Sequence, residues 1–221
     1  MSKESSMTEE KKKFIKSIIP PAIFIVMIWF VKILETMFGF DFVKFGVYPR
    51  DVTNLFGIFS FPFIHANFDH LISNTFPILF LGVGLYYFYP KSATKVVGII
   101  YIVSGSLVWL FARPSFHIGA SGMIYGVAAF LFFSGIIRRD TRAITLALLV
   151  TFIYGGMVWG VLPTDTRISW EGHLFGGLTG IACAFIFRKS DPYFKYEWQK
   201  EPDDEDDKKP EISYDNPEFF N

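Results

Sequence analysis

The chain has 221 residues, 51% of them hydrophobic and 19% aromatic, and its 21 basic and 21 acidic side chains cancel. The charges are segregated: basic residues flank long apolar blocks and acidic residues collect towards the C-terminus, which excludes an ordinary soluble domain and indicates a chain that crosses a membrane several times. The single cysteine, Cys183, lies inside an apolar run and has no internal disulfide partner.

Residues 1–13 are polar and read as a frayed cytoplasmic segment. Lys11, Lys12, Lys13 and Lys16 then precede an apolar run with no small-x-small cleavage site behind it, so this is an uncleaved first span and not a signal peptide. The run covers 15–38, with Pro20-Pro21 tolerable near its start, where early N–H groups lack intrahelical partners. Residues 39–69 form a long first loop rich in Phe and broken by Gly39, Gly46, Pro49, Gly57 and Pro62, which suits a segment lying in the headgroup region. Five further apolar blocks follow at 70–89, 96–112, 118–137, 143–162 and 170–187, stopped by Pro90, Arg113-Pro114, Arg138-Arg139-Asp140, Pro163 and Arg188-Lys189. The expectation is an all-α, six-transmembrane-helix bundle over 14–189. Residues 190–221, with the like-charge run Asp203-Asp204-Glu205-Asp206-Asp207, read as a disordered, solvating tail that contains Phe219-Phe220.

Lysine and arginine set the orientation. With the N-terminus inside, the cytoplasmic segments hold Lys3, Lys11, Lys12, Lys13, Lys16, Lys91, Lys95, Arg138, Arg139, Arg142, Arg188 and Lys189. The outer side holds only Lys32, Lys44, Arg50, Arg113 and Arg167. Both termini are then cytoplasmic.

This topology brings His70, Ser121 and His173 to one depth, because the second, fourth and sixth helices all enter from outside. Ionisable residues inside a membrane are costly and mark candidate functional sites. Ser121 shares a face with Tyr125, and His70 with Asn74. Gly122/Gly126 and Gly176/Gly180 are small-xxx-small pairs that let two helices approach closely. Packing the fourth helix on the sixth through them would bring Ser121 Oγ within about 3 Å of a His173 nitrogen, the reach that base activation of a serine needs. His70, Asn74 and the backbone N–H of Ser121 would offer donors to a developing oxyanion.

These residues resemble a known family. His65-Ala-Asn-Phe-Asp-His70-Leu-Ile-Ser-Asn74 is similar to the His-x4-His-x3-Asn signature of rhomboid intramembrane serine proteases. Gly119-Ala120-Ser121-Gly122, followed by Tyr125 and Gly126, resembles their Gly-x-Ser-Gly motif. His173-Leu-Phe-Gly176-Gly-Leu-Thr-Gly180 resembles their His-x2-Gly-x3-Gly motif. The resemblance implies a dyad with Ser121 as nucleophile and His173 as general base and then acid. It further implies oxyanion donors from His70 and Asn74, Tyr125 stacked on His173, and substrates that are themselves single-pass or other transmembrane proteins. The loops 39–69 and 163–169 would embed in the lipid and cap the site. No cofactor, metal or nucleic-acid partner is expected, and a bacterial plasma membrane is the expected location. Two departures stand out: Phe56-Gly57 replaces the usual Trp-Arg pair of the first loop, and Gly172 replaces a common alanine before His173.

Other readings compete. His65, His70 and His173 could form a metal site, but no His-Glu-x-x-His pair exists and a five-residue spacing does not place two ligands on one helical face. His65 is given a lesser role in ordering the first loop, and His117 reads as a solvated loop histidine. Glu171, two residues from His173, faces elsewhere and makes no triad. A catalytically inactive rhomboid-like factor for binding or quality control of membrane proteins is the main alternative function. A small transporter lacks its usual internal repeat here.

Overall fold

The protein is described from a computed structural model over residues 3–153, 159–163 and 168–191. Among these residues it is built from helices alone. They are α1 (Lys3–Phe38), α2 (Gly57–Ser60), α3 (Phe68–Phe88), α4 (Ala93–Phe111), α5 (Ser121–Arg138), α6 (Thr141–Ile153) and α7 (Trp170–Ile186), with four short 3-10 turns between them. Among the described residues four stretches are long and apolar enough to cross a membrane: Glu9–Phe38, Phe68–Phe88, Ala93–Phe111 and Ser121–Arg138. The described part of α6 has 13 residues and α7 has 17, both below that length, so helix length among the described residues does not by itself give the expected six spans.

Two boundaries differ from the sequence expectation. The helix α1 begins at Lys3, inside the segment read as frayed. Its polar turns are anchored to the end of α3: Tyr87 donates to Glu10 Oε2 at 2.6 Å, and Lys13 Nζ lies 4.5 Å from the Tyr87 ring centre. The helix α5 begins at Ser121 and not near 118. Gly119 holds φ +101°, and its N–H bonds to the Phe61 carbonyl at 2.8 Å, which takes the chain out of helical geometry just before the serine. The described part of α6 ends at Ile153; residues 154–158 and 164–167, over which the expected block to 162 and the loop 163–169 run, lie outside the described residues.

Helix α7 packs on α5 and α4, and α3 packs on α1. Lipid is as apolar as leucine, so close packing and hydrogen bonds hold such a bundle more than the hydrophobic effect does. The α5–α7 contact illustrates this. A Cβ on Gly176 would lie 1.9 Å from the Gly122 carbonyl oxygen, and one on Gly180 would lie 2.0 Å from that of Gly126. The two backbones touch, and no side chain fits between them. Around this seam Phe130, Leu131, Ile100, Leu71 and Leu85 are fully buried. Pro20 and Pro21 lie well inside α1, not at its start. Pro21 packs on α3 where Gly82 leaves room, a Cβ there falling 2.7 Å from Pro21 Cβ.

The Arg138 end of the bundle is closed by a polar knot. Asp191, 6% exposed, accepts from Lys91 N at 2.8 Å, Ser92 N at 3.1 Å and Ser92 Oγ at 2.6 Å, capping the start of α4. Arg138 donates to the carbonyls of Asp191 and Phe187 and lies 4.5 Å from the Tyr89 ring centre. Ser190 and Asp191 therefore pack on the bundle, while the rest of the 190–221 tail lies outside the described residues.

Candidate active site

At the opposite end, the start of α5 faces the start of α7. Ser121 is the first helical residue of α5, so the N–H groups of the first turn lack intrahelical acceptors and their dipoles point at the site. His173 sits one turn into α7 and is buried. Ser121 Oγ and His173 Nε2 are 2.7 Å apart. The other ring nitrogen, Nδ1, is 2.8 Å from the carbonyl oxygen of Gly160. A carbonyl only accepts, so Nδ1 carries the proton, and Nε2 is left as the lone-pair acceptor for the serine hydroxyl. The Tyr125 ring lies flat against His173, with centres 4.1 Å apart and planes 5° apart. The imidazole is thus held on one face by an aromatic ring and at one edge by a backbone oxygen.

The third wall comes from α3. Asn67 caps this helix by accepting from His70 N at 2.8 Å. The His70 ring lies against Gly119: a Cβ there would be 2.7 Å from His70 Cε1 and 2.8 Å from Nε2. Glycine at 119 thus meets two demands, the positive φ and the room for this ring. Asn74 is buried one turn further on and donates an amide N–H to the His70 carbonyl at 2.6 Å. His65, 1% exposed, meets the His70 ring edge to face at 5.0 Å. Neither His65 ring nitrogen makes a well-formed hydrogen bond. Burial, reinforced by the nearby His70 and Lys32, pushes its pKa down to about 3.

Two neighbours need comment. His117 is not the solvated histidine expected: it is 3% exposed, with Nδ1 at 2.6 Å from Ser169 Oγ and Nε2 at 3.1 Å from the Arg113 carbonyl. A two-way backbone bridge with Val47 draws it inward. Burial lowers its pKa. Glu171 is also buried, and pairs with Arg113 at 3.2 Å, away from His173. It forms no triad, in keeping with its position two residues along the helix.

Comparison with known proteins matches residues 52–190 to the Rhomboid domain. The chain belongs to the rhomboid family. This rhomboid is 33% identical over 172 residues to an uncharacterized protein of Mycobacterium tuberculosis, covering 74% of this chain and 72% of that one. It is 32% identical over 172 residues to an uncharacterized protein of Mycobacterium leprae, with 74% and 68% covered. RHOMBOID-like protein 2 of Arabidopsis thaliana is 28% identical over 136 residues, 58% of this chain and 41% of that protein. The rhomboid domain and the apolar helices make this an integral membrane protein.

The structure places Ser121, His173 and Tyr125 in contact, the His70 ring against Gly119 and the His65 ring against His70, with Gly122, Gly126, Gly176 and Gly180 in the α5–α7 seam; Asn74 is placed through its bond to the His70 carbonyl. The Phe56-Gly57 departure also acquires a reason. A Cβ at Gly57 would lie 2.3 Å from the Gly46 carbonyl oxygen and 2.6 Å from Asn54 Oδ1, so this position admits no side chain here. At Gly172 a Cβ would come close to Ser169 Oγ, at 3.0 Å, and otherwise make ordinary contact with Ser169 Cβ and Val108 Cγ2 at 3.9 Å, a small adjustment from alanine. The sequence reading missed Gly160. Its contribution is a carbonyl, which every residue type possesses, so no residue pattern marks it.

Proposed function

We propose that this rhomboid is an intramembrane serine endopeptidase that cuts transmembrane-protein substrates in or near their membrane segment. The observation that carries the reading is the 2.7 Å contact between Ser121 Oγ and His173 Nε2, with Nδ1 engaged by Gly160 and the ring stacked on Tyr125. A serine hydroxyl is a weak nucleophile until a base takes its proton, and this arrangement supplies one in the correct tautomer.

In the proposed reaction Ser121 Oγ attacks the scissile carbonyl carbon while its proton passes to His173 Nε2. The developing oxyanion is met by the free N–H groups at the start of α5, by the His70 ring and by the second amide hydrogen of Asn74. Collapse breaks the C–N bond, and the imidazolium returns its proton to the leaving amine. A water, deprotonated by the same Nε2, then hydrolyses the acyl-enzyme. Among the described residues no carboxylate is hydrogen-bonded to this ring; the Gly160 carbonyl dipole and the Tyr125 face are its stabilising neighbours.

Six spans, both termini in the cytoplasm, surrounding lipid as partner and a bacterial plasma membrane complete the reading; the mycobacterial relatives and the basic loop bias support it. The test is cleavage of a single-span substrate by the protein in lipid. Ser121→Ala and His173→Ala are each expected to lower kcat by about 10⁴-fold or more, and a fluorophosphonate is expected to label Ser121 in the wild type. Equal cleavage by wild type and both variants refutes the dyad. Binding without cleavage or labelling indicates an inactive, substrate-holding rhomboid.

A further inference from the structure

The mechanism above leaves unused two buried charges on α1. Lys32 and Glu35, 8% and 7% exposed, lie one turn apart, with Nζ 2.7 Å from Oε2. An ion pair within a membrane helix is costly unless its remaining donors and acceptors are met. Here the added partners come from both ends of the first loop. Lys32 Nζ donates to the carbonyls of His65 at 3.0 Å and Ala66 at 3.1 Å, where the loop closes. Glu35 Oε1 accepts from the Phe42 N–H at 3.1 Å, where it opens, and the Glu35 carbonyl accepts from Phe40 N at 3.0 Å. A single turn of α1 thus grips both ends of a loop of almost thirty residues.

The grip leads to the site. His65 and Ala66 immediately precede Asn67, the cap of α3, which accepts from His70 N at 2.8 Å. His70 in turn lies against Gly119, two residues before Ser121. Charge, loop end, helix cap and ring form one covalent and hydrogen-bonded line from Lys32 to the proposed oxyanion donor. A second polar tie between α1 and α3, Trp29 Nε1 to Thr75 Oγ1 at 3.0 Å, bypasses the loop and so serves as a comparator. Gly57, where no side chain fits, contributes no anchor of its own to the loop, and the Lys32–Glu35 pair anchors it from outside.

We propose that Lys32 and Glu35 are positioning residues for the peptidase reaction: they fix the end of the first loop and thereby hold the His70 ring at the oxyanion. The proposal rests on the peptidase reading for its kinetic arm and stands apart from it in a spectroscopic one. Lys32→Met/Glu35→Met, which removes both charges together, is compared with Lys32→Arg, Lys32→Gln and Trp29→Phe in the same lipid discs. The double variant is expected to lose on the order of tenfold in kcat, less than deletion of an oxyanion donor, with KM within about twofold. Lys32→Arg, which still donates to both carbonyls, is expected to recover most of kcat, and Lys32→Gln to fall between. Trp29→Phe is expected to lower the thermal transition while keeping kcat.

Imidazole ¹⁵N spectra of histidine-labelled protein supply the second arm. In the double variant the His65 and His70 signals are expected to move and those of His173 to stay. Wild-type kcat in the double variant overturns the proposal, as does a kcat loss in Trp29→Phe that matches its thermal destabilisation. If the double variant does not insert, Lys32→Gln decides, and unchanged kcat there overturns the proposal. If the wild type itself does not cleave, the peptidase reading fails; an unmoved His70 signal then overturns the positioning role and a shifted one supports it.

Discussion

The two halves of the site are held by different forces. On the α5–α7 side, backbone meets backbone: Gly122, Gly126, Gly176 and Gly180 leave no side chain between the helices that carry Ser121 and His173. On the α3 side, the backbone that carries the His70 ring is held by polar groups: the Asn67 cap on its N–H, the Asn74 amide on its carbonyl and the Lys32–Glu35 pair at the loop ends. Backbone packing has no rotamers to change and no proton to gain. Polar anchoring is directional but depends on every partner keeping its charge state and its place. The helices that carry Ser121 and His173 are therefore fixed by steric contact, and the backbone that carries His70 by hydrogen bonds and charge.

The comparison breaks most sharply at Gly176. Gly176→Ala places a Cβ 1.9 Å from the Gly122 carbonyl oxygen, and no flexible side chain is there to yield. The helices must separate. A destabilisation at or beyond the upper end of the ~1–3 kcal/mol typical of overpacked cores is expected, together with loss of cleavage, read by thermal melting and by turnover in lipid. An active, equally stable Gly176→Ala would show that the seam is not what fixes the dyad.

Acid tests the other half. Burial holds His65 well below the usual histidine value, at about 3, so the unfolded chain binds a proton over the range between about 6.5 and 3 where the folded one does not. Stability from this residue is complete above about 6.5 and declines as pH falls towards 3, by up to about 1.4 kcal/mol per pH unit. His117, also lowered by burial, acts in the same direction. His65→Phe keeps a ring beside His70 but has no proton to take, and is expected to flatten part of this dependence in melts between pH 7 and 4. An unchanged slope would remove His65 from the acid-sensitive set.

The smallest effect sharpens the contrast within a single helix. Gly177 follows Gly176, yet a Cβ there meets nothing within 4 Å. Gly177→Ala is expected to be neutral or to stabilise by up to about 1 kcal/mol through helix propensity, with cleavage unchanged. A loss comparable to that of Gly176→Ala would mean that any side chain on this part of α7 is harmful, whatever its direction.

Much of the steric half was legible in the sequence. Gly-xxx-Gly spacing is a local pattern with a known geometric consequence, and Ser121, His70 and His173 are conspicuous in apolar surroundings. The polar half was legible only in its motif residues. Lys32 was counted among the outer flanking charges, because a lysine near the end of an apolar run usually reaches for the interface; its burial depends on a loop that returns to it some thirty residues later. His117 was misjudged for the same reason, its partners Ser169 and Val47 being remote in sequence. Serine at the first position of α5 and not a turn inside it follows from the φ of Gly119, which glycine permits but does not require.

The orienting partner of the base has a consequence for heredity. A carboxylate in that role can be lost by one codon change, and it titrates. The Gly160 carbonyl that faces His173 Nδ1 belongs to the main chain, so no point mutation deletes it and no pH within reach of life protonates it. What mutation can alter is the residue attached to it, and a Cβ at 160 would fall 2.0 Å from the Tyr125 hydroxyl and 3.1 Å from His173 Nδ1. A side chain at this position would therefore collide with both rings, and the tautomer of His173 is inherited through a glycine codon.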